Sequence, residues 1–123
     1  MSPNTGPVMV VDDDDAVRQS LQFALELEGL EVRAYRSGQQ LLATEHMPDK
    51  GCLVVDYFMP AMDGVELLNR LRLRHVDLPA ILITGKSTGE IRQRAFQAGF
   101  RQVLEKPLED GALVDGIRRL LGV

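Results

Sequence analysis

Five side chains of complementary chemistry stand at the ends of apolar runs in this sequence. Asp12 and Asp13 follow Val8-Met9-Val10-Val11, Asp56 follows Leu53-Val54-Val55, Thr84 follows Ala80-Ile81-Leu82-Ile83, and Lys106 lies just beyond Val103-Leu104. Three carboxylates gathered at one edge repel one another unless a hard divalent cation sits among them, and Mg²⁺ prefers carboxylate, carbonyl and water oxygens. An ammonium and a hydroxyl facing the same centre supply charge and a hydrogen bond to phosphoryl oxygens. A carboxylate can act as the nucleophile at phosphorus, while metal and ammonium neutralise charge on the equatorial oxygens. Together the five describe a phosphoryl acceptor.

Whether they meet depends on the elements between them. The apolar runs suit strands buried on both faces, as in a parallel sheet. Between the first run and a short strand at Val32 and Ala34, the residues Val17, Leu21, Ala24 and Leu25 repeat at helical spacing, with Gly29 as a stop. Ser37 can cap a helix carrying Leu41 and Leu42, and Pro48, Asp49 and Gly51 break the chain before the third strand. A turn over residues 60–64 leads to a helix presenting Val65, Leu68 and Leu71. Ser87 with Glu90 offers a capping box for a helix closed by Ala95, Ala98 and Gly99, and Leu113, Ile117, Leu120 and Leu121 stripe a last helix. Five strand–helix units predict an α/β fold with right-handed crossovers and helices on both faces of a parallel sheet. Such sheets bind ligands outside the carboxyl ends of the strands, where the strand order reverses.

The chain has 123 residues and a net charge of −4, which fits one domain and lacks the basic surface that nucleic acid demands. No apolar stretch has membrane-spanning length, and residues 1–7 read as a flexible lead-in to a domain over residues 8–123. Cys52, the single cysteine, lies in an apolar run as a buried thiol, so a reduced, cytoplasmic setting fits best.

Val10-Val11-Asp12-Asp13, Leu53-Val54-Val55-Asp56, Met59-Pro60, Met62-Asp63-Gly64, Ile83-Thr84-Gly85 and Lys106-Pro107, in this order, resemble the motif set of response-regulator receiver domains from about Val8 onward. The resemblance implies a flavodoxin-like (βα)5 fold with strand order 2-1-3-4-5. It implies that Asp56 takes the phosphoryl group, that Asp13 binds Mg²⁺ directly and Asp12 largely through water, and that Phe58 lends its backbone carbonyl. Thr84 and Lys106 would contact phosphoryl oxygens, Gly85 would keep the approach to Asp56 open, and the Lys106-Pro107 bond would be cis. Phosphohistidine on a sensor histidine kinase or a phosphotransfer protein would be the donor. The fourth helix, fifth strand and fifth helix would form the switched face, with phosphorylation-dependent homodimerisation as one consequence. The style is similar to nitrogen-fixation-type transcription regulators, whose DNA contact comes from a C-terminal domain. A receiver of this kind is a signalling switch rather than an enzyme, although it catalyses its own phosphorylation and dephosphorylation.

One position departs from the pattern. Many receivers carry an aromatic residue three positions before the lysine, where this sequence has Val103, so coupling falls to Thr84 and the packing of the fourth helix. Phe58 and Lys86 flank the expected phosphoryl position and tune its loss to water in this family; an apolar Phe58 predicts a long-lived phosphoaspartate. Plainer readings exist for single residues. Asp14 and Asp15 suit a helix N-terminus, His46 and His75 suit the surface, and Thr84 alone suits a strand-end hydroxyl bonded to backbone. Three rivals compete: a haloacid-dehalogenase-type phosphohydrolase using Asp12, a flavin carrier of the same topology, and a receiver that only docks. The first lacks room for a cap domain, four aspartates replace the phosphate loop of the second, and the complete acidic and basic set argues against the third.

Overall fold

In the computed structural model, residues 6–109 and 111–123 are described. Strand β1 (Val8–Val11) leads through helix α1 (Asp15–Leu27) to β2 (Val32–Tyr35) and α2 (Gly38–Leu42). Then follow β3 (Cys52–Asp56), α3 (Gly64–Leu73), β4 (Ala80–Thr84), α4 (Gly89–Ala98), β5 (Gln102–Glu105) and α5 (Ala112–Leu121). All neighbouring strands pair in parallel, in the order β2-β1-β3-β4-β5, as the resemblance implies.

Two cores flank the sheet because successive strand residues face opposite sides. Met9, Val11, Leu53, Val55, Leu82 and Val103 pack with Leu67, Leu68 and Leu71 of α3 and Ala95 of α4. On the other face Val8, Val10, Cys52, Val54, Ile81 and Ile83 pack with Leu25 of α1 and Leu113, Ile117 and Leu121 of α5. β1, β3 and β4 are buried throughout, which explains their uninterrupted apolar runs.

Local chemistry sets the helix starts. Asp14 caps α1 by accepting the Val17 N–H at 3.1 Å, and Asp15 pairs with Arg18. Ser37 caps α2 as expected. Asp63 caps α3 and completes a capping box with Glu66, a start that the turn residues alone did not disclose. At α4 the expected Ser87–Glu90 box is not formed: Thr88 is the cap and accepts the Ile91 N–H at 3.2 Å. The reason is that Ser87 is held outside the helix, its N–H bonded to Glu105 and its hydroxyl to Arg92. Gly64 is required where β3 turns into α3, because a Cβ there would lie 2.7 Å from the Asp56 carbonyl oxygen and 2.9 Å from Leu82.

Most of the expected lead-in, residues 1–5, lies outside the described residues. Pro7 is buried, and its carbonyl accepts the Cys52 N–H at 3.1 Å. Cys52 is a buried free thiol whose pKa burial pushes up to about 12. His46 and His75 are exposed.

Candidate functional site

The site lies at the carboxyl edge of the sheet, between β1 and β3. Sequence order reverses there, since β2 lies outside β1 while β3 begins the run on its other side, and the backbone opens a crevice. The in-register pairing of Val11 with Val55 places Asp12 beside Asp56. Asp13 follows on the loop into α1, where Asp12 accepts the Asp14 N–H at 2.9 Å and its carbonyl accepts from Arg18.

Carboxylate oxygens of Asp12, Asp13 and Asp56 all fall within 4.8 Å of one another. Asp12 and Asp56 are 1% and 6% exposed, whereas Asp13 faces solvent. Lys106 reaches in from beyond β5, its Nζ 3.3 Å from Asp56 Oδ1 and 3.6 Å from Asp12 Oδ2. The Lys106-Pro107 bond is cis. Four of the five residues singled out at the strand ends thus meet.

Thr84 reaches the same rim but is engaged elsewhere. Its hydroxyl donates to the Lys86 carbonyl at 2.7 Å and accepts the Lys86 N–H at 3.1 Å, which is the plainer role considered for a strand-end hydroxyl. A Cβ at Gly85 would meet no atom within 4 Å, so packing does not demand glycine there, and open space adjoins it. Phe58 is 52% exposed and stands edge-on to Tyr57, ring centroids 4.8 Å apart. Val103 is buried in the core under α3 and α4.

The electrostatics follow from crowding. Burial and then the Asp12 carboxylate push Asp56 up to about 6, against the opposing pull of Lys106. Burial alone would lower the Lys106 ammonium, but the Asp56 and Asp12 carboxylates outweigh it and hold the pKa above its usual value. One ammonium therefore compensates three carboxylates only in part. Hard oxygen donors with excess negative charge, one of them exposed, fit a divalent cation.

A stability consequence follows. Asp56 binds its proton more tightly in the folded chain than its ordinary value of 3.8 allows. This group therefore contributes stability at low pH, which is lost as pH rises from about 4 through about 6. In chelator at pH 7.5, Asp56→Asn is expected to stabilise the fold by about 1–3 kcal/mol, raising the melting temperature by roughly 4–10 °C. The gain should fade toward pH 4, and thermal melts showing no gain at pH 7.5 would contradict the proposed crowding.

Residues 8–118 match the response regulator receiver domain family. The chain belongs to that family. This receiver is 40% identical over 120 residues to the transcriptional regulatory protein FixJ of Azorhizobium caulinodans, covering 98% of this chain and 57% of that protein. It is also 40% identical over 116 residues to the C4-dicarboxylate transport transcriptional regulatory protein DctD of Pseudomonas aeruginosa, covering 94% of this chain and 25% of that one. Among solved structures, FixJ-N superposes with a TM-score of 0.87 at 37% identity, covering 94% of this chain and 93% of that one. The receiver thus spans about half or less of the curated relatives named here. No helix among the described residues is long and apolar enough to cross a membrane.

Three participants escaped the sequence reading. Tyr57, Arg94 and Glu105 contact the rim or the loop above it. An aromatic residue immediately after Asp56 was a visible signal for the first. Nothing local marked an arginine within α4 or a glutamate at a strand end.

Proposed function

We propose that Asp56 accepts a phosphoryl group from phosphohistidine on a sensor kinase or phosphotransfer protein in a Mg²⁺-dependent reaction. The observation that carries this reading is the ammonium of Lys106 set 3.3 Å from Asp56 Oδ1 inside a cluster of three carboxylates. Asp12, Asp13, Asp56 and the Phe58 carbonyl would hold Mg²⁺, whose charge, when bound, offsets that of the phosphoryl oxygens. An Asp56 oxygen attacks phosphorus as the bond to the imidazole nitrogen breaks; the electron pair leaves with the imidazole. Lys106 then exchanges its carboxylate partner for a phosphoryl oxygen. Thr84 turns from the Lys86 carbonyl to donate a hydrogen bond to another phosphoryl oxygen, and Gly85 leaves the approach clear.

In this reading the chain acts as a switch in the cytoplasm, not as a turnover enzyme. The face of α4, β5 and α5 carries the response, through a phosphorylation-dependent homodimer. Val103 excludes the aromatic form of the switch, so Thr84 and α4 carry the coupling. The output is transcription, exerted through a DNA-binding domain beyond this receiver, since FixJ and DctD are transcriptional regulators by name. Phe58 at the rim, with Lys86 beside it, slows attack by water on the phosphoaspartate.

Incubation with acetyl phosphate and Mg²⁺ should add one phosphoryl mass per chain, labile at alkaline pH, and add none in chelator. A receiver that only docks would remain unmodified. Multiple turnover on a phosphomonoester would instead favour phosphohydrolase chemistry at Asp12.

A further inference from the structure

The sheet register places three polar side chains from neighbouring strands in one row above the α3–α4 core. Asp56 pairs with Ile83 and Thr84 with Glu105, so Tyr57, whose N–H donates to the Ile83 carbonyl at 2.8 Å, stands level with Thr84. Residues in register share a face of a parallel sheet. Two positions earlier Val55, Leu82 and Val103 all lie in the core beneath α3 and α4, so Tyr57, Thr84 and Glu105 point to that side too.

Each member of the row grips α4 or the loop that enters it: Tyr57 the helix, Thr84 and Glu105 the loop. Tyr57 Oη accepts from Arg94 Nη1 at 2.5 Å, and the guanidinium also lies 3.7 Å from Asp63, the cap of α3. Thr84 holds both polar backbone groups of Lys86. Glu105 accepts the Ser87 N–H at 2.9 Å, while Arg92 donates to the Ser87 hydroxyl at 3.2 Å. Residues 86–94, the loop into α4 and the first part of that helix, are thereby held from β4, from β5 and from the residue that follows β3.

We propose that Tyr57 and Glu105 are positioning residues that hold residues 86–94 where the Thr84 hydroxyl faces Lys86 instead of Asp56, and so set how readily Asp56 is phosphorylated. The proposal rests on the reading that Thr84 must leave Lys86 to reach a phosphoryl oxygen. Contacts made only in the resting arrangement lower the population of the competent one, and removing them raises it by their net worth. It also assigns a partner for α4 in a chain with valine at 103: the ring beneath the helix is that of Tyr57, the residue that follows β3.

Two variants test it. Tyr57→Phe keeps the ring in the core and removes the acceptor; Glu105→Ala removes the grip on Ser87; Glu109→Ala, exposed and off the row, is the control. Without any phosphodonor, amide hydrogen exchange at Lys86 and Ser87 should quicken about three- to tenfold in each variant, the factor one net hydrogen bond contributes to an equilibrium. The initial rate of phosphorylation by acetyl phosphate should rise by a similar factor, with the melting temperature within a few degrees of the parent. Unchanged exchange, or faster exchange with an unchanged phosphorylation rate, would overturn the proposal. Faster exchange in a chain that the donor never phosphorylates, parent included, would instead overturn phosphoryl acceptance and leave the grip itself standing. Should Glu105→Ala not fold, Tyr57→Phe alone decides.

Discussion

Lys106→Ala is expected to slow phosphoryl uptake from acetyl phosphate by about 10²–10³-fold at saturating Mg²⁺, with the fold intact. The ammonium is 3.3 Å from Asp56 Oδ1 and, at 31% side-chain exposure, only partly screened by water. Preorganised charge aimed at developing charge commonly provides a factor of about 10²–10³ per donor. A second effect has the same sign. Lys106 opposes the burial and the Asp12 carboxylate that raise Asp56, so its loss leaves Asp56 more often protonated near neutral pH and less able to attack. Stopped-flow or intact-mass time courses of the parent and variant give the ratio. A loss below about tenfold would mean that the lysine merely neutralises the resting cluster.

The acidic cluster makes the other large prediction. If Asp12, Asp13 and Asp56 form a divalent site, Mg²⁺ at about one hundred times its dissociation constant stabilises the fold by about 2.7 kcal/mol. Asp13→Ala removes the one carboxylate of the three that faces solvent. A site weakened tenfold retains about 1.4 kcal/mol at the same Mg²⁺ concentration, and phosphoryl uptake should fall with it. Thermal melts across a Mg²⁺ titration read both quantities, with Asp14→Ala as a comparison because Asp14 serves as the α1 cap. Equal Mg²⁺ responses in Asp13→Ala and the parent would remove Asp13 from the metal site.

The fold was legible because β1, β3 and β4 are buried on both faces, so each reads as an unbroken apolar run ending where the sheet meets solvent, while the edge strands β2 and β5 show only short alternating or two-residue signals. That same property exposed Asp12, Asp56 and Thr84, since a polar residue closing such a run lies at the rim of the sheet. Lys106 was legible only in company, through its motif with Pro107. The start of α4 was misread because Ser87 and Thr88 are equally able caps in sequence, and the choice was made by Glu105, eighteen residues away on β5. The resting position of the Thr84 hydroxyl depends on a loop whose course is set by such distant contacts. Tyr57 and Arg94 form a pair thirty-seven positions apart, beyond the reach of helical or strand periodicity.

The most direct test of the central claim locates the phosphoryl group. The parent and Asp56→Asn are incubated with acetyl phosphate and Mg²⁺, weighed intact, then trapped with borohydride and mapped by peptide. The parent should gain one phosphoryl mass, with the reduced residue at Asp56, and the variant should gain none. A phosphoryl mass retained in Asp56→Asn, or a trapped residue mapped to Asp12 or Asp13, would contradict it.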